Sequence, residues 1–253
     1  MKKTLTILTL LTIAQLSVMG QTKVIAHRGA WKNTESPQNS LASLNHAIDQ
    51  KTWGSEFDVQ LTKDDVLVIN HDDTFYGMDI ATSTYAELLA IKHPNGENIP
   101  TAEDYLKEGL KQSGTKLIFE LKTNRLGMER TMKAAKMSVD LVKKLHAEEQ
   151  IVYIAFSYDA CLKLRELDPK ATIQYLNGDK SPKEIKEAGL NGLDYHISVY
   201  KKHPEWVAEA QSLGLGVNVW TVNKEADLQY FIAQKVDFIT TNEPELLHKL
   251  LTK

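Results

Sequence analysis

Glu56 and Asp58 stand two residues apart in the stretch Gly54–Asp72, GSEFDVQLTKDDVLVINHD. On a strand, residues at this spacing project from one face, so two carboxylates lie side by side. Their repulsion is costly unless a cation sits between them. The turn Lys63-Asp64-Asp65 sends the chain back, and a return strand Val66–Ile69 ends at His71-Asp72. A hairpin brings its ends together, which returns His71 towards the carboxylate pair. The segment offers a cation site with an imidazole beside it, although a single acidic pair is more often a solvated strand face. The rest of the chain decides between the two.

Chemistry-bearing residues recur where other apolar runs end. Lys23-Val24-Ile25-Ala26-His27-Arg28-Gly29 stops abruptly at a histidine and an arginine, with Gly29 permitting a sharp exit. Lys116–Lys122 sets Glu120 and Lys122 on one face and Phe119 and Leu121 on the other. Asn218, Trp220 and Asn242 interrupt later runs, while Phe57, Val59, Val217 and Val219 point the opposite way. Glu56, Asp58 and Glu120 can surround a hard divalent cation such as Ca²⁺ or Mg²⁺. Arg28 and Lys122 suit an anionic substrate. His27 and His71 are imidazoles able to serve as general acid and base near neutral pH. Such a set is what phosphodiester cleavage needs. The cations stabilise charge on the pentacoordinate phosphorus, one histidine takes a proton from the attacking hydroxyl, and the other protonates the departing oxygen. Singly, His27 reads as a strand-end histidine, Glu120 and Lys122 as a same-face ion pair, and Trp220 as core. Jointly, those readings need successive strand ends to be polar by accident.

The elements that would position these groups alternate regularly. Ser40 caps a helix over Leu41–Gln50, whose apolar residues share a face. After the hairpin, Thr74–Pro100 has little patterning beyond a short helix at Tyr85–Ala90. A helix opens at Thr101-Ala102-Glu103 and ends at Gly114. A long helix covers Met128–Glu149. Strands then follow at Ile151–Ser157, Thr172–Leu176, Gly192–Ser198, Val217–Val222 and Phe238–Thr241. They alternate with helices at Tyr158–Leu167, Pro182–Ala188, Pro204–Leu213, Ala226–Gln234 and Pro244–Leu251. The count predicts an α/β fold, a (β/α)₈ TIM barrel, with an excursion after the second strand. An open doubly wound sheet is disfavoured because no GxGxxG occurs. In a barrel the active site lies at the C-terminal ends of the strands, where the polar residues above fall.

The chain has 253 residues and a formal charge of −3. Acidic and basic residues are interspersed, and no basic block suggests nucleic acid. Residues 1–20 carry Lys2-Lys3, an uncharged and mostly apolar run Leu5–Val18, and Val18-Met19-Gly20 before Gln21. This pattern predicts a bacterial signal peptide and a periplasmic or secreted protein with no stable membrane insertion after cleavage. The run is short for a membrane span, and an uncleaved anchor is the alternative. Cys161, the single cysteine, has no intrachain disulfide partner and sits in an amphipathic pattern as a packing residue.

Ordered along the chain, several motifs resemble the glycerophosphodiester phosphodiesterase family: His27-Arg28-Gly29, Pro37-Gln38-Asn39-Ser40, Glu56-Phe57-Asp58-Val59, Thr62-Lys63-Asp64 and His71-Asp72. Ile99-Pro100-Thr101, Glu120-Leu121-Lys122 and Trp220-Thr221-Val222-Asn223 match later signatures. The resemblance implies one barrel domain over 21–253 with a small insertion at about 71–100. It implies hydrolysis of a small-molecule glycerophosphodiester to sn-glycerol 3-phosphate and an alcohol, through a cyclic phosphate formed by the substrate's own hydroxyl. Glu56, Asp58 and Glu120 would bind the metal and His27 and His71 would be the acid–base pair. Arg28 and Lys122 would contact phosphate, and Trp220 would pack on glycerol. Gln38 and Ser40 replace the family's Glu and Thr, and Thr241-Asn242-Glu243-Pro244 replaces its Thr-Asp-x-Pro. A phosphatidylinositol-specific phospholipase C-like lipase is the alternative, requiring an apolar rim for which Phe75, Tyr76, Met78 and Ile80 are candidates. A glycerophosphodiester-binding protein without turnover is a third reading.

Overall fold

Period-two alternation divides each long strand between two environments, and the computed structural model shows what each contains. It describes residues 21–252. The expected signal peptide lies outside the described residues. The strands are β1 (Lys23–Ala26), β2 (Gly54–Leu61), β3 (Leu67–Ile69), β4 (Thr74–Phe75), β5 (Met78–Asp79) and β6 (Lys116–Leu121). They continue with β7 (Ile151–Ala155), β8 (Thr172–Tyr175), β9 (Gly192–His196), β10 (Gly216–Trp220) and β11 (Phe238–Thr241). Strands β1, β2 and β6 to β11 pair in parallel with their neighbours, and the β1–β2 pairing closes them into an eight-stranded barrel. The predicted (β/α)₈ architecture is therefore what the structure has.

Outward residues Phe57, Val59, Phe119, Leu121, Val217 and Val219 are buried with helix residues such as Leu44, Leu106, Val139 and Leu228 in one continuous core. Each such side chain contributes about 1.5–3 kcal/mol by burial. Inside the barrel, Ile25, Ile118, Val152, Ile154 and Leu176 form a separate apolar plug. Trp53 and Phe238 close its N-terminal end, their ring centroids 4.3 Å apart. The lower interior is thus filled, and the polar residues of the same faces collect above it at the mouth.

Strand β2 outruns the barrel wall. Only Gly54 and Ser55 pair with β1, and the far end at Val59–Leu61 pairs antiparallel with β3. The return of the chain towards the carboxylates follows from this register. Beyond it, β4 and β5 form a ribbon that the sequence did not signal, followed by a helix at Tyr85–Leu88. Val68, Phe75, Ile80, Leu88 and Ile99 give this segment a small core of its own.

Several boundaries differ from expectation. The helix opening at Thr101 ends at Gly109, not Gly114. There a Cβ would lie 2.7 Å from Leu117, so glycine lets the helix end lie against β6. The long helix stops at Lys144 rather than Glu149. His146 takes φ 53°, and the amides of His146 and Ala147 bond back to Lys143 and Val142, a C-terminal cap that normally uses glycine. Strand β9 is shorter than expected because Ile197–Lys202 forms an extra helix. Cys161 is fully buried with its thiol pushed up to about 12 by burial, as a packing residue should be.

Candidate active site

Parallel registry places the first acids. Glu56 and Asp58 project inward from β2, and Asp58 lies opposite Glu120 of β6. All three are buried, and one carboxylate oxygen from each lies within 4.8 Å of the others. Glu56 Oε1 has no hydrogen-bond partner. Asp58 Oδ1 and Glu120 Oε1 also lack a well-aligned one, although Lys122 Nζ is 3.3 and 2.9 Å from them. Buried acceptors left open at this cost suit a hard cation that takes oxygen ligands. The described residues therefore fit a Ca²⁺ or Mg²⁺ site, with no other donor type required.

The acids ionise unequally. Burial, then Asp58 and Glu120, push Glu56 well above the carboxylate range. Burial and Asp58 raise Glu120 to about 7. Burial also opposes ionisation of Asp58, but Lys122, His71 and Arg28 together hold it below its usual range. Lys122 is likewise penalised by burial, and Asp58 and Glu120 more than offset this and hold it charged.

The loop after β1 ties the second group to the acids. Arg28 and Gly29 adopt φ 58° and 80°. A Cβ on Gly29 would meet Ser43 at 2.5 Å, so the loop can rest on the helix Leu41–Asp49 only with glycine there. Ser40 and Ser43 form a capping box at that helix start. The turn aims the Arg28 amide at Glu56 Oε2 (2.8 Å) and brings its guanidinium within 3.6 Å of Asp58 while donating to Gln38 Oε1 (2.7 Å). Gln38, where the resemblance has Glu, therefore contacts Arg28. Asn39, quoted in the motif but not assigned a role, donates to Asp58 Oδ2 (2.8 Å) and accepts the Asp58 amide (3.1 Å).

The two histidines stand on different supports. His27 Nδ1 lies 2.8 Å from Asn242 Oδ1, and Nε2 lies 3.9 Å from Glu56 Oε2. An amide oxygen only accepts, so Nδ1 carries the proton and Nε2 keeps its lone pair. Burial and the Arg28 charge lower His27 to about 4. His71 follows β3, where Asn70 donates to the Asp58 carbonyl (3.0 Å). Gln60 Nε2 gathers the Asn70, His71 and Asp72 carbonyls, and His71 Nδ1 meets Asp72 Oδ1 at 2.6 Å.

Trp220 reaches the same mouth. Its indole N–H donates to the Asp194 carbonyl (2.8 Å), and its ring meets Phe156 and His196 edge to face. A cleft of ≈ 90 Å³ is lined by His27, His71, Glu56, Glu120 and Trp220 among others. A larger groove of ≈ 450 Å³ shares Arg28 and His71 and runs out between Gln38 and Tyr76. Every residue assigned from the sequence is thus at one mouth, Asp58 and Lys122 by their ion pairs and the rest by lining these spaces. Asp194 was missed. It sits in Leu193-Asp194-Tyr195, a polar interruption like those of the other strands, which alternation would have identified.

The apolar rim that the lipase alternative requires is mostly absent from the insertion. Phe75 and Ile80 are buried in its core, and Tyr76 is the large residue it exposes, at 56%. After β6 and β7, Leu126 and Phe156 are exposed in loops, and Met128 at the start of the long helix.

The profile of the Glycerophosphoryl diester phosphodiesterase family matches residues 27–246. The solved glycerophosphodiester phosphodiesterase of Parabacteroides distasonis is 46% identical, with a TM-score of 0.89 over 92% of this chain and 97% of that one. A glycerophosphodiester phosphodiesterase of Caldanaerobacter subterraneus is 27% identical over 92% of this chain and 99% of its own. A phosphodiesterase of Oleispira antarctica, solved with the product sn-glycerol-3-phosphate, shares the fold at 24% identity and a TM-score of 0.78, covering 92% and 98% of the two chains.

Proposed function

The chain belongs to the glycerophosphoryl diester phosphodiesterase family, and we propose that it cleaves its diesters with a divalent cation held by Glu56, Asp58 and Glu120. Family membership makes it an enzyme that hydrolyses glycerophosphodiesters to sn-glycerol 3-phosphate and an alcohol. The observation that carries the metal reading is the convergence of three buried carboxylates, with oxygens left without hydrogen bonds, beside Lys122, Arg28 and His27. When bound, Ca²⁺ or Mg²⁺ would supply positive charge against the phosphoryl oxygens and lower the cost of keeping the acids ionised.

The chain's own residues take the remaining parts. Arg28 and Lys122 contact the phosphate, and the indole face of Trp220 packs on the glycerol carbons. His27 Nε2, its lone pair free because Nδ1 is bonded to Asn242, takes the proton of the attacking hydroxyl. His71, oriented by Asp72, gives its proton to the departing alcohol oxygen. The attacking group is the substrate's adjacent glycerol hydroxyl, so the first product is a cyclic phosphate that water then opens. Phosphorus NMR during turnover should detect that species. Its absence, with solvent ¹⁸O entering in the first step, would exclude internal attack. The N-terminal segment 1–20 directs the enzyme to the periplasm or medium. Peptide sequencing of the mature N-terminus tests this and should find a start at Gln21.

A panel of glycerophosphocholine, glycerophosphoethanolamine and glycerophosphoinositol, set against intact phosphatidylinositol, tests the reading with Mg²⁺ and Ca²⁺. Release of sn-glycerol 3-phosphate from the deacylated diesters is expected. Cleavage of the intact lipid alone would favour the lipase, and binding without any cleavage would favour a binding protein.

A further inference from the structure

Directly across the barrel from the acids of β2, one oxygen of a buried carboxylate stands without a hydrogen-bond partner. In the closed strand order β9 lies four places from β2 on either path. Asp194 points inward from β9 and is 1% exposed, yet it lines the same cleft as His27, Glu56 and Glu120. Its Oδ1 has no hydrogen-bond partner among the described residues. Asn218, its neighbour in register on β10, spends its amide on Thr240 Oγ1 (3.0 Å). Leaving such an oxygen unpaired is costly, and a ligand group can recover that cost.

The surroundings of Asp194 say what kind of group fits. Ile154, Phe156 and Leu176 make the nearby wall apolar. Trp220 adds a flat face, and its indole N–H is already used on the backbone carbonyl of Asp194 itself. That bond fixes the tryptophan face against the backbone that carries Asp194. The pair therefore presents one apolar surface and one hydrogen-bonding group, the complement of a short polyol with C–H bonds on one side and a hydroxyl at its end. Phosphate-binding and proton-transferring groups occupy the β1, β2 and β6 side. The hydroxyl next to the phosphoester is taken up there, which leaves the terminal hydroxyl to reach across.

We propose that Asp194 is a specificity-determining residue that hydrogen-bonds the terminal hydroxyl of the glycerol moiety. This rests on the phosphodiesterase reading above and on Trp220 as the glycerol platform. A site built to bond a hydroxyl rejects the analogue lacking it, because its own buried group is then left unpaired.

The test compares kcat/KM for glycerophosphoethanolamine with that for the corresponding propane-1,2-diol phosphodiester, which keeps the attacking hydroxyl and lacks the terminal one. The cation-loaded wild-type enzyme is expected to prefer the glycerol diester by about tenfold or more. In Asp194→Ala the preference should fall to within about threefold, chiefly through a higher KM for the glycerol diester. Asp194→Val, close to Asp in volume and unable to hydrogen-bond, carries the same expectation should the alanine variant not fold. The melting-temperature rise on adding Ca²⁺ should persist in either variant. An unchanged preference, equal losses on both substrates, or loss of the Ca²⁺ response would overturn the assignment. A wild-type enzyme that cleaves neither diester would instead remove the phosphodiesterase reading, and this inference with it.

Discussion

Asn39 holds Asp58 at two points, donating from Nδ2 to Oδ2 at 2.8 Å and accepting the Asp58 amide at 3.1 Å. The first strand's exit loop is thereby fastened to the central acid of the cluster. Asn39 also adopts φ 58°, a left-handed conformation that asparagine tolerates better than most residues. Asn39→Ala should cost about 1–3 kcal/mol of apo stability through the unpaired groups left behind. It should also weaken cation binding by freeing Asp58 to rotate. Calorimetric cation titration of the variant checks this, and affinity equal to wild type would contradict it.

The three acids differ in what they do for the apoprotein. Repulsion alone predicts that neutralising any of them leaves the apo fold at least as stable, and the structure limits that expectation to Glu56. Glu56 is pushed towards its neutral form already, so Glu56→Gln should melt at or above wild type. Asp58 is the anion against which Lys122 and Arg28 are set. Asp58→Asn should therefore lower apo stability, since it removes the anion that Arg28 faces and leaves Lys122 with Glu120 alone. Both variants should lack activity. Thermal melts in chelator compare them, and an apo Asp58→Asn as stable as Glu56→Gln would refute the distinction.

Much of this site could be read from the sequence because alternation and charge coincide. Phe57 and Val59 against Glu56 and Asp58, and Phe119 and Leu121 against Glu120 and Lys122, fix which faces meet the core and which the mouth. Asp194 obeys the same rule between Leu193 and Tyr195, but no charged neighbour drew attention to it. Asn39 could not be placed, since its partner depends on how a loop folds over Gly29. His146 in a glycine-type cap hid the end of the long helix, because nothing in its side chain announces a left-handed turn. The β4–β5 ribbon was hidden by its two-residue strands, too short for a period to register.

Burial decides the charge on His27. Burial and Arg28 depress its folded value to about 4, and the neutral amide of Asn242, which accepts its Nδ1–H, and the Asp58 charge offset this only in part. A depressed histidine contributes stability that is fully present above its unfolded value near 6.5 and is lost as pH falls through about 4. The contribution is on the order of 3 kcal/mol. Asn242→Asp would stabilise the imidazolium, so the acid limb of kcat/KM should move to higher pH by about 1 unit or more. A pH–rate profile that does not move would show that His27 does not set that limb.

Glu120 gives the opposite slope. Its folded value, raised to about 7, makes its contribution complete below the ordinary carboxylate range and lost as pH rises through 7. Glu56 acts in the same direction. Between pH 6.5 and 8, where His27 no longer changes charge, apo stability should fall with rising pH. A cation competes with protons for these oxygens, so the Ca²⁺-induced rise in melting temperature should grow across that interval. Melts at fixed Ca²⁺ and stepped pH check the trend, which a flat or declining response would contradict.

Turnover of glycerophosphoethanolamine by thoroughly chelated enzyme, followed by stepwise return of Ca²⁺ or Mg²⁺, addresses the acidic cluster most directly. Release of sn-glycerol 3-phosphate should stop in chelator and return on adding cation to wild type, but not to Glu56→Gln. Full activity in chelator would contradict the metal site and leave Lys122, Arg28 and the two histidines as the whole of the catalytic machinery.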